Sequence, residues 1–305
     1  MDPGQEKWLT NLAALKRAIK ATSVLSTVLD DKWFEAVEEE IKIASAPLTA
    51  DPSDFLYDFC HHLRDEDWFE EIQRLALEGR LAEVDEDARL GLLLFGLDPL
   101  RTTIPLLEAR LRAFATLTIK PDKVEGKLAE LRNARCNPSF KNHRFELAVL
   151  GDLALKNVLI DIEDASTGVD GVIRVDGRDI LVEATNTVQR VIPNFVGVGV
   201  LDPNIQIDQV VKKVRKKVAE GRQLALANGK PTLLFLARTY LGAGRELAGV
   251  ALHDCFAHPH FSSLSGVVLA DSWKLSATQW HEGIKPDVPF SQAESDRLAE
   301  WYRAK

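Results

Sequence analysis

The chain has 305 residues, enough for one large domain or two domains of ordinary size. Hydrophobic residues make up 46% and charged residues 28%, a composition that excludes a disordered or collagen-like chain. Three cysteines without paired spacing exclude a disulfide scaffold and predict a protein of the reducing cytoplasm. The longest apolar stretches, Gly91–Leu97 and Val191–Leu201, are too short to cross a membrane.

The net charge of −8 is distributed unevenly along the chain. Residues 1–120 contain 14 basic and 23 acidic residues, whereas residues 121–305 contain the remaining 24 basic and 23 acidic residues. Because Lys and Arg make the contacts to phosphates, a polyanionic partner is expected to meet the second part. The first part has helical periodicity nearly throughout. We therefore predict a helical domain over 1–120 that either packs on the second part or uses its acidic surface to recruit a protein partner.

After residue 120 the pattern changes to helices that alternate with short β-rich runs. A basic helical segment, Lys120–Arg135, comes first, and a second helix is predicted at Asn142–Asn157. Strands are predicted at Val158–Ile162, Gly171–Val175, Ile180–Ala184, Thr232–Leu236 and Gly266–Leu269, with a long basic helix at Ile205–Asn228. This order predicts an α/β domain over 121–305, with a mixed sheet that begins with a hairpin and continues by parallel crossovers.

The hairpin predicts a pair of facing carboxylates. Asp176-Gly177 between two β runs favours a two-residue type I′ turn, which pairs Val175 with Arg178. Continuing that register outward places Asp170 opposite Glu183. Two carboxylates facing each other across a ladder repel, and a shared divalent cation would offset the repulsion. A one-residue bulge between the strands, or neutralisation of one acid by Arg174 or Lys156, remains the alternative.

From about Phe145 to Leu236 the chain resembles the PD-(D/E)XK nuclease superfamily, which includes restriction endonucleases and resolvases. Glu146 resembles the acid of the family's first helix, Asp170 its motif Asp, and Glu183 the acid of the (D/E)XK signature. The resemblance implies a restriction-endonuclease-like core of helix, three strands, helix and strand. It also implies an endonuclease for DNA that depends on Mg²⁺ or Mn²⁺, with Asp170 and Glu183 as metal ligands and Glu146 assisting through the metal or a water.

The chain departs from the family at Thr185, which stands where the motif has Lys. A Thr hydroxyl can hydrogen-bond a water but brings no positive charge. If the lysine is relocated to the following helix, Lys213 is the first candidate for a catalytic role. The alternative is a catalytically inactive nuclease-like fold that binds nucleic acid or protein, and a homodimer is left open. Nucleic-acid contacts are predicted at Lys212, Lys213, Lys216 and Lys217.

Overall fold

A computed structural model of the protein describes residues 3–43, 99–134, 139–164, 166, 168–186, 216, 229–238, 252–253, 256–271, 275 and 278–303. The chain divides into two compact units. One comprises 1–109, 128–140 and 189–199, and the other comprises 110–127, 141–188 and 200–305. The domain boundary at residue 120 stays a prediction.

Seven α-helices lie within the described residues. The helical periodicity of the first part is confirmed by four helices within its described residues, and the two helices predicted ahead of the first strand are also present. Within the described part of the chain, no helix is long and apolar enough to cross a membrane. The helices are α1 (Pro3–Lys20), α2 (Leu25–Val28), α3 (Asp31–Ile43), α4 (Pro99–Ala115), α5 (Pro121–Ala134), α6 (Ser139–Leu155) and α7 (Gln292–Tyr302).

A buried carboxylate organises the beginning of α2. Glu108, on α4, is almost fully buried. It accepts hydrogen bonds from the backbone N–H groups of Ser23, Val24 and Leu25 and from the Ser23 hydroxyl, at 2.7–3.1 Å. These are the N–H groups that a helix leaves without an internal partner at its start, so Glu108 stabilises the first turn from a distant point in the chain.

Six strands form one mixed sheet in the order β1-β2-β3-β4-β5-β6. The first three are antiparallel neighbours, β4 and β5 continue in parallel, and the last strand is antiparallel to β5. The predicted hairpin, parallel crossovers and mixed sheet are therefore confirmed, while β6 and α7 were not predicted. The strands are β1 (Leu159–Asp164), β2 (Val169–Val175), β3 (Arg178–Asn186), β4 (Thr232–Arg238), β5 (Gly266–Asp271) and β6 (Gln279–Glu282).

The turn between β2 and β3 has the predicted chemistry. Asp176 and Gly177 both have positive φ, 47° and 85°, as a type I′ turn requires. The paired residues run from Val175 opposite Arg178 to Gly171 opposite Val182 without a shift. The register inferred from the turn is therefore confirmed over this length.

The sheet packs on α6 at close range. A Cβ built on Gly171 of β2 would lie 2.9 Å from Leu150 Cδ2 of the helix, so glycine permits the approach. The last helix is tied to the same helix, because the Tyr302 hydroxyl donates a 3.0 Å hydrogen bond to Asp152 Oδ2. Tyr302 also packs edge-on against Phe235 of β4, with ring centroids 5.2 Å apart. Tyr302 thus joins α7 both to α6 and to the sheet.

Candidate active site

Three carboxylates occupy neighbouring positions on β1, β2 and β3. Ile162 pairs with Gly171 and Asp164 with Val169, so Glu163 stands opposite Asp170. On the other side, the ladder ends at Gly171 opposite Val182, and the next residues outward are Asp170 and Glu183. We call Glu163, Asp170 and Glu183 the carboxylate row. The row contains the predicted pair and adds Glu163.

Asp170 also links its strand to β3. Its Oδ2 accepts a 2.8 Å hydrogen bond from the backbone N–H of Ala184, the residue after Glu183. Arg174 and Lys156, which could have neutralised one of the facing acids, pair with other carboxylates. Arg174 Nη2 lies 2.7 Å from Asp179 Oδ1, and Lys156 Nζ lies 2.5 Å from Asp152 Oδ2. The bulge in this part of the sheet falls between Leu159 and Asp161 of β1, not between β2 and β3. The ladder between β2 and β3 thus runs without a shift up to Gly171 and Val182, the residues next to Asp170 and Glu183.

Glu183 and Thr185 are buried at the start of the parallel part of the sheet. Glu183 is 2% exposed and lies beside Leu234, while Thr185 is 6% exposed and lies beside Leu236. A carboxylate is rarely taken out of water unless positive charge or hydrogen bonds offset the cost. A buried acid in this row is therefore a candidate functional group, because active sites are where such groups concentrate.

A buried lysine from α5 lies among these acids. The Lys127 ammonium is 2.5 Å from Glu146 Oε1 and 2.8 Å from Glu163 Oε1. It thereby joins the helix acid Glu146 to the carboxylate row. Burial lowers the pKa of Lys127. The charge of Glu146, hydrogen bonds to Glu146 and Glu163, and the charge of Asp170 outweigh that effect and hold the pKa well above its usual value. Its carboxylate partners thus favour the charged form of Lys127.

Glu163 is held on both of its oxygens. Oε1 bonds Lys127 and Oε2 bonds Lys123 at 2.6 Å. Burial raises the pKa of Glu163, but the hydrogen bonds from Lys123 and Lys127 overcome this and lower it below its usual value. Its backbone is left-handed, with φ of 46°, a conformation that costs a non-glycine residue of order 1 kcal/mol. The two lysines therefore hold an ionised carboxylate on a strained backbone.

Helix α6 supplies Glu146 from a buried, largely apolar surface that also carries the buried Arg144. Phe145, Leu147, Ala148, Val149 and Leu150 around it are all buried. Since apolar residues surround the helix on nearly every side, its position against the sheet is set by packing. Glu146 is 9% exposed and is carried into the interior with its neighbours. The acid predicted for this helix therefore lies where Lys127 can reach it.

The other predicted residues are only partly described. Lys212, Lys213 and Lys217 lie outside the described residues, and Lys216 is exposed. Sequence reasoning missed Lys127 and Glu163. The sequence indicates the basic helix Lys120–Arg135. Its contact with β1 depends on tertiary packing, which the spacing of residues along the chain does not predict.

The donor chemistry of the row fits a hard divalent cation in part. Asp170 and Glu183 offer carboxylate oxygens, which Mg²⁺ and Mn²⁺ favour. Among the residues that the structure describes, no group of three or more His, Cys, Asp or Glu side chains is arranged to hold a metal ion. Two carboxylates can nevertheless suffice for Mg²⁺, which commonly completes its shell with waters and substrate phosphates.

No protein-family model, curated protein or solved structure matches this chain. The structure itself shows a mixed α/β protein with a six-stranded mixed sheet. Its function must be inferred from the chemistry of the site.

Proposed function

We propose that the protein is a metal-dependent nuclease that hydrolyses phosphodiester bonds in DNA, built on a restriction-endonuclease-like core. The observation that carries the proposal is the carboxylate row beside Lys127 and Glu146. The order of elements supports it, because α6 leads into three antiparallel strands and β4 then joins β3 in parallel.

Asp170 and Glu183 are the proposed ligands for Mg²⁺ or Mn²⁺. They come from adjacent strands at the end of a confirmed register, and Asp170 is oriented by the Ala184 N–H. A divalent ion held there would polarise a phosphate oxygen and lower the pKa of a bound water. Glu146 is the third acid, positioned by its ion pair with Lys127. The chain thus supplies two ligands from rigid strands and one acid from a rigid helix, as preorganisation requires.

DNA is the proposed substrate because the second part of the chain contains 24 of the 38 basic residues and is not dominated by acidic ones. Between Ile205 and Lys230 there are seven basic and two acidic residues. Lys216, the described member of the predicted contact set, is exposed. Lysines and arginines of this segment would contact the DNA backbone while the acids act on one phosphate.

The test is cleavage of supercoiled plasmid and of end-labelled duplex and single-stranded oligonucleotides by the purified full-length chain. Reactions contain Mg²⁺, Mn²⁺ or a chelator. We expect cleavage that needs the metal and falls by at least about 100-fold in Asp170→Asn and in Glu183→Gln, since each removes a charged ligand. Asp176→Asn is the matched control, because Asp176 is an exposed carboxylate in the same hairpin and Asn tolerates its positive φ. DNA cleavage that survives the double substitution Asp170→Ala, Glu183→Ala would contradict the assignment of this site.

A second candidate is a nuclease-like fold that no longer cuts and binds nucleic acid or protein. Thr185 favours it, since this buried strand position supplies a hydroxyl where the family has an ammonium. This candidate predicts DNA binding that is the same with a chelator as with Mg²⁺ and is unchanged in Glu183→Gln. The nuclease predicts DNA cleavage that the same substitution abolishes.

A further inference from the structure

The carboxylates of this site would repel a phosphate unless a cation stood among them. Glu146, Glu163, Asp170 and Glu183 are drawn together by one helix and three strands. In the family that the chain resembles, a lysine two residues after the second acid supplies positive charge, and Thr185 cannot. Any side-chain charge that adds to that of the metal ion in stabilising the developing anion would therefore come from another element.

We propose that Lys127 supplies that charge as a positioning residue, reaching the site from α5 instead of from the strand. This inference rests on the proposed function. The ammonium contacts Glu146 and Glu163 directly, and it lies close enough to Asp170 for the two charges to interact. It thus holds the helix acid and the carboxylate row in one arrangement.

Burial distinguishes Lys127 from a neighbouring lysine that also pairs with β1. The Lys127 side chain is 10% exposed and pairs with two carboxylates. Lys120 is 40% exposed; its ammonium pairs with Asp161 at 2.7 Å and donates a 3.2 Å hydrogen bond to the Ile162 carbonyl oxygen. Exposed pairs of that kind contribute little, because water screens them, whereas a buried charge acts strongly on its surroundings. The spacing of Lys120 and Lys127 along the chain is typical of a solvent-exposed helix face, but the Lys127 side chain is buried.

The contacts define what Lys127 does. It cannot remove a proton from water, because an ammonium has no lone pair. It can hold Glu146 and Glu163 in place through its two ion pairs, and it can offset their charge when a phosphate approaches. Its loss should therefore slow the chemical step more than it weakens DNA binding.

The experiment measures kcat and KM for cleavage of a labelled duplex in Mn²⁺. The variants are Lys127→Met, Lys127→Gln and Lys127→Arg, with Lys120→Met as the matched control. Lys127→Gln keeps hydrogen-bond donors without charge, so it remains informative if Lys127→Met does not fold; thermal unfolding of every variant is recorded. We expect Lys127→Gln to lower kcat by about 100-fold with KM nearly unchanged. Lys127→Arg should restore much of the rate, and Lys120→Met should keep it.

Two results would overturn the proposal: a folded Lys127→Gln variant with the wild-type kcat, or a loss in Lys127→Arg as large as in Lys127→Gln. The outcomes separate this inference from the proposed function. If the wild type does not cleave DNA with any metal, the proposed function fails as well. If cleavage depends on Glu183 but not on Lys127, only this inference fails.

Discussion

The backbone N–H of Ala184 donates a 2.8 Å hydrogen bond to Asp170 Oδ2, which joins β2 to β3 just beyond their last paired residues. Asp170 thus has a structural role that is separable from its charge. Asn keeps a side-chain oxygen at this position and Ala does not. We expect Asp170→Ala to be less stable than Asp170→Asn by about 1 kcal/mol in urea unfolding, the usual contribution of one such bond. Equal stability of the two variants would show that this bond contributes nothing measurable.

Two helical glycines should respond to alanine in opposite directions. A Cβ on Gly151 of α6 would lie 2.5 Å from the carbonyl oxygen and 2.7 Å from the Cβ of Arg110 on α4. Gly151→Ala should therefore lower the free energy of unfolding by about 1–3 kcal/mol, in spite of the better helix propensity of Ala. Gly126 of α5 has nothing within 4 Å, so Gly126→Ala should raise it by roughly 0.5–1 kcal/mol. If urea unfolding shows that both variants are stabilised, α4 and α6 do not approach this closely.

Tyr302 should make stability fall at alkaline pH. Burial, together with the charge of Asp152 and the hydrogen bond to it, raises the pKa of the Tyr302 hydroxyl well above its ordinary value of 10.0. Below pH 10.0 the hydroxyl is neutral in both the folded and the unfolded chain. Above it the unfolded chain ionises first, so this residue lowers stability by up to about 1.4 kcal/mol per pH unit.

Tyr302→Phe removes both the hydrogen bond to Asp152 and the titration. We expect the variant to be less stable than the wild type near neutral pH and to approach it as the pH rises. The measurement is urea unfolding of both proteins from about pH 8 to about pH 11. A stability difference that stays constant over this range would contradict the raised pKa.

Local chemistry explains what could be predicted from sequence. Asp176-Gly177 sets a two-residue turn, the turn sets the register, and the register aligns Asp170 with Glu183. Helix α7 could also have been predicted, because Ser291 and Glu294 form a capping box and their S-x-x-E pattern is visible in the sequence.

The roles of Glu163 and Lys127 could not be predicted from the sequence, for physical reasons. β1 and β2 are not joined by a two-residue turn, so no turn sets their register, and β1 also has a register shift. Glu163 has a left-handed backbone, which the alternation of residues in a strand does not predict. Lys127 belongs to a helix that looks like a solvated basic segment. Only tertiary packing brings its ammonium to Glu146.

Binding of Mn²⁺ tests most directly whether the carboxylate row is a metal site. Isothermal titration of the full-length protein without DNA would compare the wild type with Asp170→Asn, in which the acceptor for Ala184 remains and the charge does not. If the carboxylate row is a metal site, the wild type binds Mn²⁺ saturably, Asp170→Asn loses this binding, and Asp176→Asn keeps it. Absence of binding to the wild type, or equal binding by Asp170→Asn, would contradict a metal site at the row.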